Sequence, residues 1–171
     1  MNRIFLIIIS FFFMIGCEEY DVVIRNGTIY DGYGFEPFIG DVAIKGDKVV
    51  LIKENISEKG RKEIDAKGLA VAPGFINMLS WATTSLIKDG RSLSAIKQGV
   101  TLEVYGEGGS MGPLSDSMKQ QQQENEEDFK IDWTTLGEYL ESLERRGVST
   151  NVASFIGATT LRIHEIGFED R

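Results

Sequence analysis

The sequence is poor in the residues that usually announce a catalytic or cofactor site. Its 171 residues hold one cysteine, Cys17, which excludes an internal disulfide and a four-cysteine zinc site. They hold one histidine, His164, and a lone histidine is more often a surface or satisfied core residue than a ligand. Positive charge is short: 18 Lys and Arg stand against 26 Asp and Glu, and the formal net charge of −8 argues against a nucleic-acid partner. No Gly-Lys-Ser/Thr is present, so there is no phosphate loop. Gly106 and Gly108 open a G-x-G-x-x-G pattern, but Met111 takes the third glycine place, which excludes a dinucleotide loop. What is there is globular: 42% hydrophobic and 26% charged residues, enough for one domain of ordinary size.

The apolar run from Ile4 to Ile15 is too short to span a bilayer comfortably. It follows the basic start Asn2-Arg3 and ends in Gly16-Cys17, the order of a secretory signal. Met14-Ile15-Gly16-Cys17 resembles the bacterial lipobox, in which the chain is cut before the cysteine and its thiol receives a diacylglycerol. The expectation is an exported bacterial lipoprotein that loses residues 1–16 and is held at a membrane surface by acyl chains on Cys17. An ordinary signal peptide, or a membrane anchor with a chance cysteine, is the alternative.

From 20 to 72 the pattern is strand-like. "YDVVIRNGTIYDG" and "DVAIKGDKVVLIKE" each place β-branched runs on either side of a turn pair, Asn26-Gly27 and Gly46-Asp47. Two hairpins in a small antiparallel sheet are expected. "KEIDAKGLAVAPGFI" adds Glu63-Ile64-Asp65, a turn at Lys67-Gly68 and the apolar run Leu69 to Ala72. From 73 to 171, strand-like and helix-like runs alternate, which predicts βαβ units and a parallel sheet. The strands are Phe75 to Leu79, Val100 to Tyr105 and Asn151 to Ile156. The helices are Thr84 to Gln98 and the amphipathic "TTLGEYLESLERRGV", whose stripe is Leu136, Tyr139, Leu140 and Leu143 and whose C-cap is Gly147. "SMKQQQQENEEDFK" reads as a solvated helix or mobile loop, or as a lid over a site at the strand ends.

Gly108-Gly109-Ser110-Met111-Gly112 fits the G-x-S-x-G nucleophile elbow after a strand, which makes Ser110 a candidate serine-hydrolase nucleophile. Against it, Pro113 stands where the elbow needs a helix, and His164 would have to be the base. "LRIHEIG" alternates like a short strand. Ser110 and Arg162 are also candidates for binding substrate, Arg162 by holding a carboxylate, with a structural ion pair as the alternative for Arg162. Trp81 and Trp133 read as packing residues.

Five stretches in order resemble the amidohydrolase superfamily, and within it the N-acyl-D-amino-acid deacylase branch. They are "DVVIRNGTIYDG", "GDVAIKGDKVVLIKE", "EIDAKGLAVAPGFI", "QGVTLEVYGEGGSMGPL" and "WTTLGEYLESLERRGVSTNVASFIGATTLR". The resemblance implies half of a small β-sandwich followed by the first strands and helices of a metal-bearing (β/α)8 barrel. The chain would then be an N-terminal fragment. The later strands would bring the metal-binding histidines and the general-base aspartate. It implies hydrolysis of a non-peptide C–N amide bond of a small N-acyl amino acid, with a divalent metal, one zinc, as cofactor. The family's Asp falls on Asn77, its His-x-His on Leu79 and Trp81, and its cysteine ligand on Gly108. Glu107 is the nearby group able to replace the thiolate as a metal ligand. For these residues alone the expectation is no activity, and the alternative for the whole protein is a non-catalytic lipoprotein that uses the barrel for binding.

Overall fold

The computed structural model describes residues 20–169. The expected signal segment and the Cys17 lipidation site lie outside these residues. The chain divides into two compact units, Met1–Pro73 and Gly74–Arg171.

Unit 1 is a five-stranded sheet of order β3-β2-β1-β4, with β5 also on β1. The strands are β1 (Tyr20–Ile29), β2 (Phe38–Lys45), β3 (Lys48–Lys53), β4 (Gly60–Asp65) and β5 (Ala70–Val71). β1, β2 and β3 pair antiparallel, and β2–β3 turns at Gly46 as its sequence predicts. Two expectations need correction. Asn26-Gly27 is not a hairpin turn: β1 runs straight through it, with a register shift between Ile24 and Gly27 and Asn26 at φ 59°. The sheet is also mixed, because β4 and β5 both lie parallel to β1, one beside each half of it.

The bulge is held from a distance. Asp41 on β2 is buried and accepts the Asn26 amide (2.9 Å), the Ile56 amide (3.1 Å) and the Arg25 guanidinium (3.0 Å). Arg25 also donates to Glu63 (2.7 Å) and to the carbonyls of Ile56 and Glu58. Asn tolerates the left-handed conformation that the bulge demands. One sheet face buries Val23, Ala43 and Ile56. On the other, Ile64, Ile24, Val42 and Ile52 form a cross-strand row whose ends, Ile64 and Ile52, are exposed.

Unit 2 has three parallel strands in consecutive order: β6 (Phe75–Asn77), β7 (Val100–Tyr105) and β8 (Asn151–Ser154). Helices α1 (Thr83–Lys88) and α2 (Leu93–Ile96) join the first pair, α3 (Asp116–Glu124) and α4 (Leu136–Arg146) the second, and α5 (Ala158–Ile166) follows β8. Such βα repetition is how a (β/α)8 barrel begins. The core packs Leu86, Tyr105, Leu114, Trp133, Tyr139 and Leu143 between strands and helices. α4 begins with a capping box, Thr135 with Glu138, and ends at Gly147 with φ 76°.

Three expectations differ from the structure here. Thr84 to Gln98 is not one helix. It breaks because residues 89–92 dock on the segment after α4: Ser149 donates its amide to the Gly90 carbonyl (2.8 Å), a Cβ at Gly90 would lie 2.8 Å from the Gly147 carbonyl, and Ser92 is left-handed at φ 45°. "LRIHEIG" is helix α5, not a strand; Leu, Arg and Glu there favour a helix, and Gly157 starts it from extended backbone. Phe75 to Leu79 is strand only to Asn77, and Phe75, Ile76, Met78 and Leu79 are exposed.

Burial pushes the Asp41 carboxyl up, but the two amides and Arg25 outweigh it and hold it below the usual carboxylate range. Its contribution is therefore complete above roughly pH 4 and drains away as pH falls through the folded value. Asp41→Ala is expected to destabilise unit 1 by about 3 kcal/mol in denaturant unfolding, and Asp41→Asn to flatten the acid limb of stability against pH.

Candidate functional site

A cavity of about 170 Å³ opens at the C-terminal ends of β6 and β7, lined by Ser80, Trp81, Thr83, Gly106, Glu107, Gly109, Ser110 and Met111. In a parallel sheet this is the end at which loops carry chemistry. Its walls come from the loop after β6 and the loop after β7, and the latter packs its backbone on the loop after β8. Gly106 leaves β7 at φ 89°, and a Cβ there would collide with the Phe155 carbonyl. A Cβ at Gly157 would lie 2.5 Å from the Gly108 carbonyl. Side-chain hydroxyls stitch the loops together. The Ser110 amide donates to Thr160 Oγ1 (2.7 Å) and the Gly157 amide to Ser110 Oγ (3.0 Å).

Ser110 Oγ in turn donates to the Gly112 carbonyl (2.6 Å). Its hydroxyl is thus buried and occupied on both sides, and no base meets it among the described residues. The serine-nucleophile expectation is corrected: the G-x-S-x-G spacing here makes a loop staple. His164 Nδ1 sits 2.7 Å from Glu165 Oε1 on α5, with neither partner in the cavity wall. Arg162 is likewise used locally, donating to the Gly167 (3.2 Å) and Glu169 (2.6 Å) carbonyls at the end of its own helix. That is a C-terminal cap.

Glu107 stands at the cavity wall, exposed, and makes no hydrogen bond or ion pair among the described residues. Leu79 and Trp81 are exposed as well, at 53% and 70%. The Asn77 side chain accepts the Leu79 amide (3.2 Å) and shapes that turn. A Cβ at Gly108 would meet the tip of the Trp81 ring at 3.9 Å, so positions 81 and 108 face one another. Among the described residues no three His, Cys, Asp or Glu side chains converge. These residues by themselves therefore do not hold a metal ion; Glu107 offers one ligand and no more.

The polar segment after Pro113 does not lie over this cavity. α3 buries Met118, and Gln123 ties the following loop by donating to the Phe129 carbonyl (3.0 Å) and accepting the Ile131 amide (2.9 Å). Together they wall a second cavity of about 350 Å³ with Thr84, Met111, Asn125 and Phe129.

One residue was not singled out from sequence. Glu103, in the middle of β7, is 2% exposed and accepts hydroxyls from Ser80 (2.5 Å), Ser92 (2.9 Å) and Thr150 (3.1 Å). The signal available was an acid in an otherwise apolar-and-threonine strand, "VTLEVY". The neighbouring Tyr105 phenol is pushed well above its usual range by burial and then by the Glu103 charge.

No family model matches the chain. An N-acyl-D-aspartate deacylase from Alcaligenes xylosoxydans xylosoxydans is 33% identical over 147 residues, covering 84% of this chain and 29% of that protein. A crystal structure of a D-aminoacylase, described as defining a novel subset of amidohydrolases, superposes with a TM-score of 0.73 at 27% identity over 86% of this chain and 31% of the other. A second D-aminoacylase structure, from work on its binuclear metal centre and one-metal activation, gives 0.73 at 28% identity over 85% of this chain and 31% of the other. The chain thus spans about three-tenths of the length of these relatives.

Gly106→Ala should cost unit 2 at least about 2 kcal/mol, from the positive φ and the carbonyl collision together. Ser110→Ala should cost about 1–3 kcal/mol through the Gly157 amide left unpaired. Denaturant unfolding of the two variants measures both.

Proposed function

This chain belongs to the amidohydrolase superfamily, on its D-aminoacylase-like branch, and from that premise we propose that the natural gene product hydrolyses the amide C–N bond of an N-acyl amino acid. The observation that carries the proposal is the match over 84% of the chain to a deacylase of that substrate class. The cavity at the strand ends supports it, because barrel hydrolases work at that face.

A metal is the family's usual means of polarising an amide carbonyl and activating water. The described residues do not complete such a centre, so no step is drawn through it. Leu79 and Trp81 carry no lone pair at the positions of the family's histidine pair, and Gly108 carries no thiol. In our reading Glu107 contributes a single carboxylate ligand to a one-metal site whose other ligands lie elsewhere in the gene product. Trp81 and Met111 supply apolar wall, which narrows the mouth and excludes water around the scissile amide.

We further propose that the protein is exported and anchored by lipid on Cys17. The support is the short basic start, the apolar run and the lipobox-like Met14-Ile15-Gly16-Cys17. Among the described residues no helix is long and apolar enough to cross a membrane.

The test is metal content together with hydrolysis of a panel of N-acyl-D- and N-acyl-L-amino acids by the purified gene product. Retained metal, about one per chain, and turnover are expected, with Glu107→Ala losing the metal and slowing turnover about 100-fold or more. Residues 1–171 alone are expected to show neither. Wild-type protein without metal or turnover would remove the enzyme reading in favour of a binding lipoprotein, and an unaffected Glu107→Ala would remove Glu107 from the site.

A further inference from the structure

Glu103 is a buried acid without a cationic partner among the described residues. Its carboxyl group takes donors from hydroxyls alone, and each of the three belongs to a different segment: Ser80 to the loop after β6, Ser92 to the start of α2, Thr150 to the residue before β8. An acid taken out of water is retained at a cost unless its lone pairs are filled. Here they are filled by three hydroxyls. Ser92 sits in the left-handed region, which L residues rarely adopt and which persists only when its surroundings over-determine it.

Ser80 is the informative partner. Its amide donates to the Val104 carbonyl (3.0 Å), its hydroxyl to Glu103 (2.5 Å), and the hydroxyl also lies 3.4 Å from the Ala82 amide. Three bonds therefore pin residue 80, while its neighbours Leu79 and Trp81 are mostly exposed. Trp81 and Ser80 both line the mouth cavity. Nothing else among the described hydrogen bonds and ring contacts holds the Trp81 side chain. Its place at the wall is inherited from the backbone that Ser80 fixes.

We propose that Glu103 is a positioning residue: from behind the sheet it seats Ser80, and through Ser80 it sets Trp81 at the mouth of the cavity. The role goes beyond the hydrolase reading and needs no turnover to be seen.

The chain has two tryptophans, Trp81 at 70% exposure and Trp133 at 1%. In the gene product labelled with 5-fluorotryptophan, the two fluorine resonances are identified by Trp81→Phe and Trp133→Phe. Ser80→Ala and Glu103→Gln are each expected to shift or broaden the Trp81 line and leave the Trp133 line in place. Ser80→Thr, which keeps the hydroxyl, should retain the wild-type Trp81 line. Ser92→Ala, which frees only α2, should retain it too. If Glu103→Gln does not fold, Ser80→Ala with its Thr control decides the matter. An unmoved Trp81 line in folded Ser80→Ala overturns the proposal. So does a displacement of both lines together, which marks a role in overall stability only. A negative deacylase assay leaves these outcomes untouched, so the two readings fail separately.

Discussion

Main chain packed directly on main chain holds the mouth of unit 2 together. At Gly106 and Gly157 the neighbouring backbone is so near that no side chain fits. This closeness brings the loop after β7 against the loop after β8, and it fixes what the remaining residues can do. Ser110 and Thr160 are consumed in satisfying the amides and carbonyls that the contact buries. Glu107, one residue past the tight turn at Gly106, is left at the surface of the cavity with no hydrogen-bond or ion-pair partner among the described residues. Buried backbone polar groups must be paired, and in this loop hydroxyl side chains pair them.

The same closeness shapes the cavity in front of the sheet. Gly108 has no side chain, and the Trp81 ring reaches toward the space that one would occupy. The two positions face each other across the mouth, so a bulky residue at one is compatible with an empty place at the other. Behind the sheet, Glu103 gathers three hydroxyls from three segments. The front is apolar and exposed, and the polar anchor is buried.

Local patterns were legible from the residues alone. The β2–β3 hairpin and α4 are written in contiguous residues: a Gly46-Asp47 turn, a Thr135/Glu138 capping box, an apolar stripe, a glycine at the end. The bulge at Asn26 was not legible, because the carboxylate that holds it, Asp41, is fifteen residues away. The break at 89–92 depends on Gly147 and Ser149, more than fifty residues on. Alternation misled at "LRIHEIG", where a run that short fits either period. Spacing pointed to Ser110 and residue type to Arg162, whereas the structure occupies Ser110 with the Gly112 carbonyl and the Gly157 amide and Arg162 with the carbonyls after its own helix. Family resemblance located the positions around the mouth. Only geometry showed that 81 and 108 meet there and that Glu103 stands behind them.

The dependence of the mouth on these backbone contacts is most directly tested by amide hydrogen exchange, residue by residue. Ser110 and Gly157 donate buried hydrogen bonds across the two loops, so their amides should exchange as slowly as those in the middle of β7. Exchange at the rate of an open, solvated loop would contradict it, and would mean that the two loops are not held together at all.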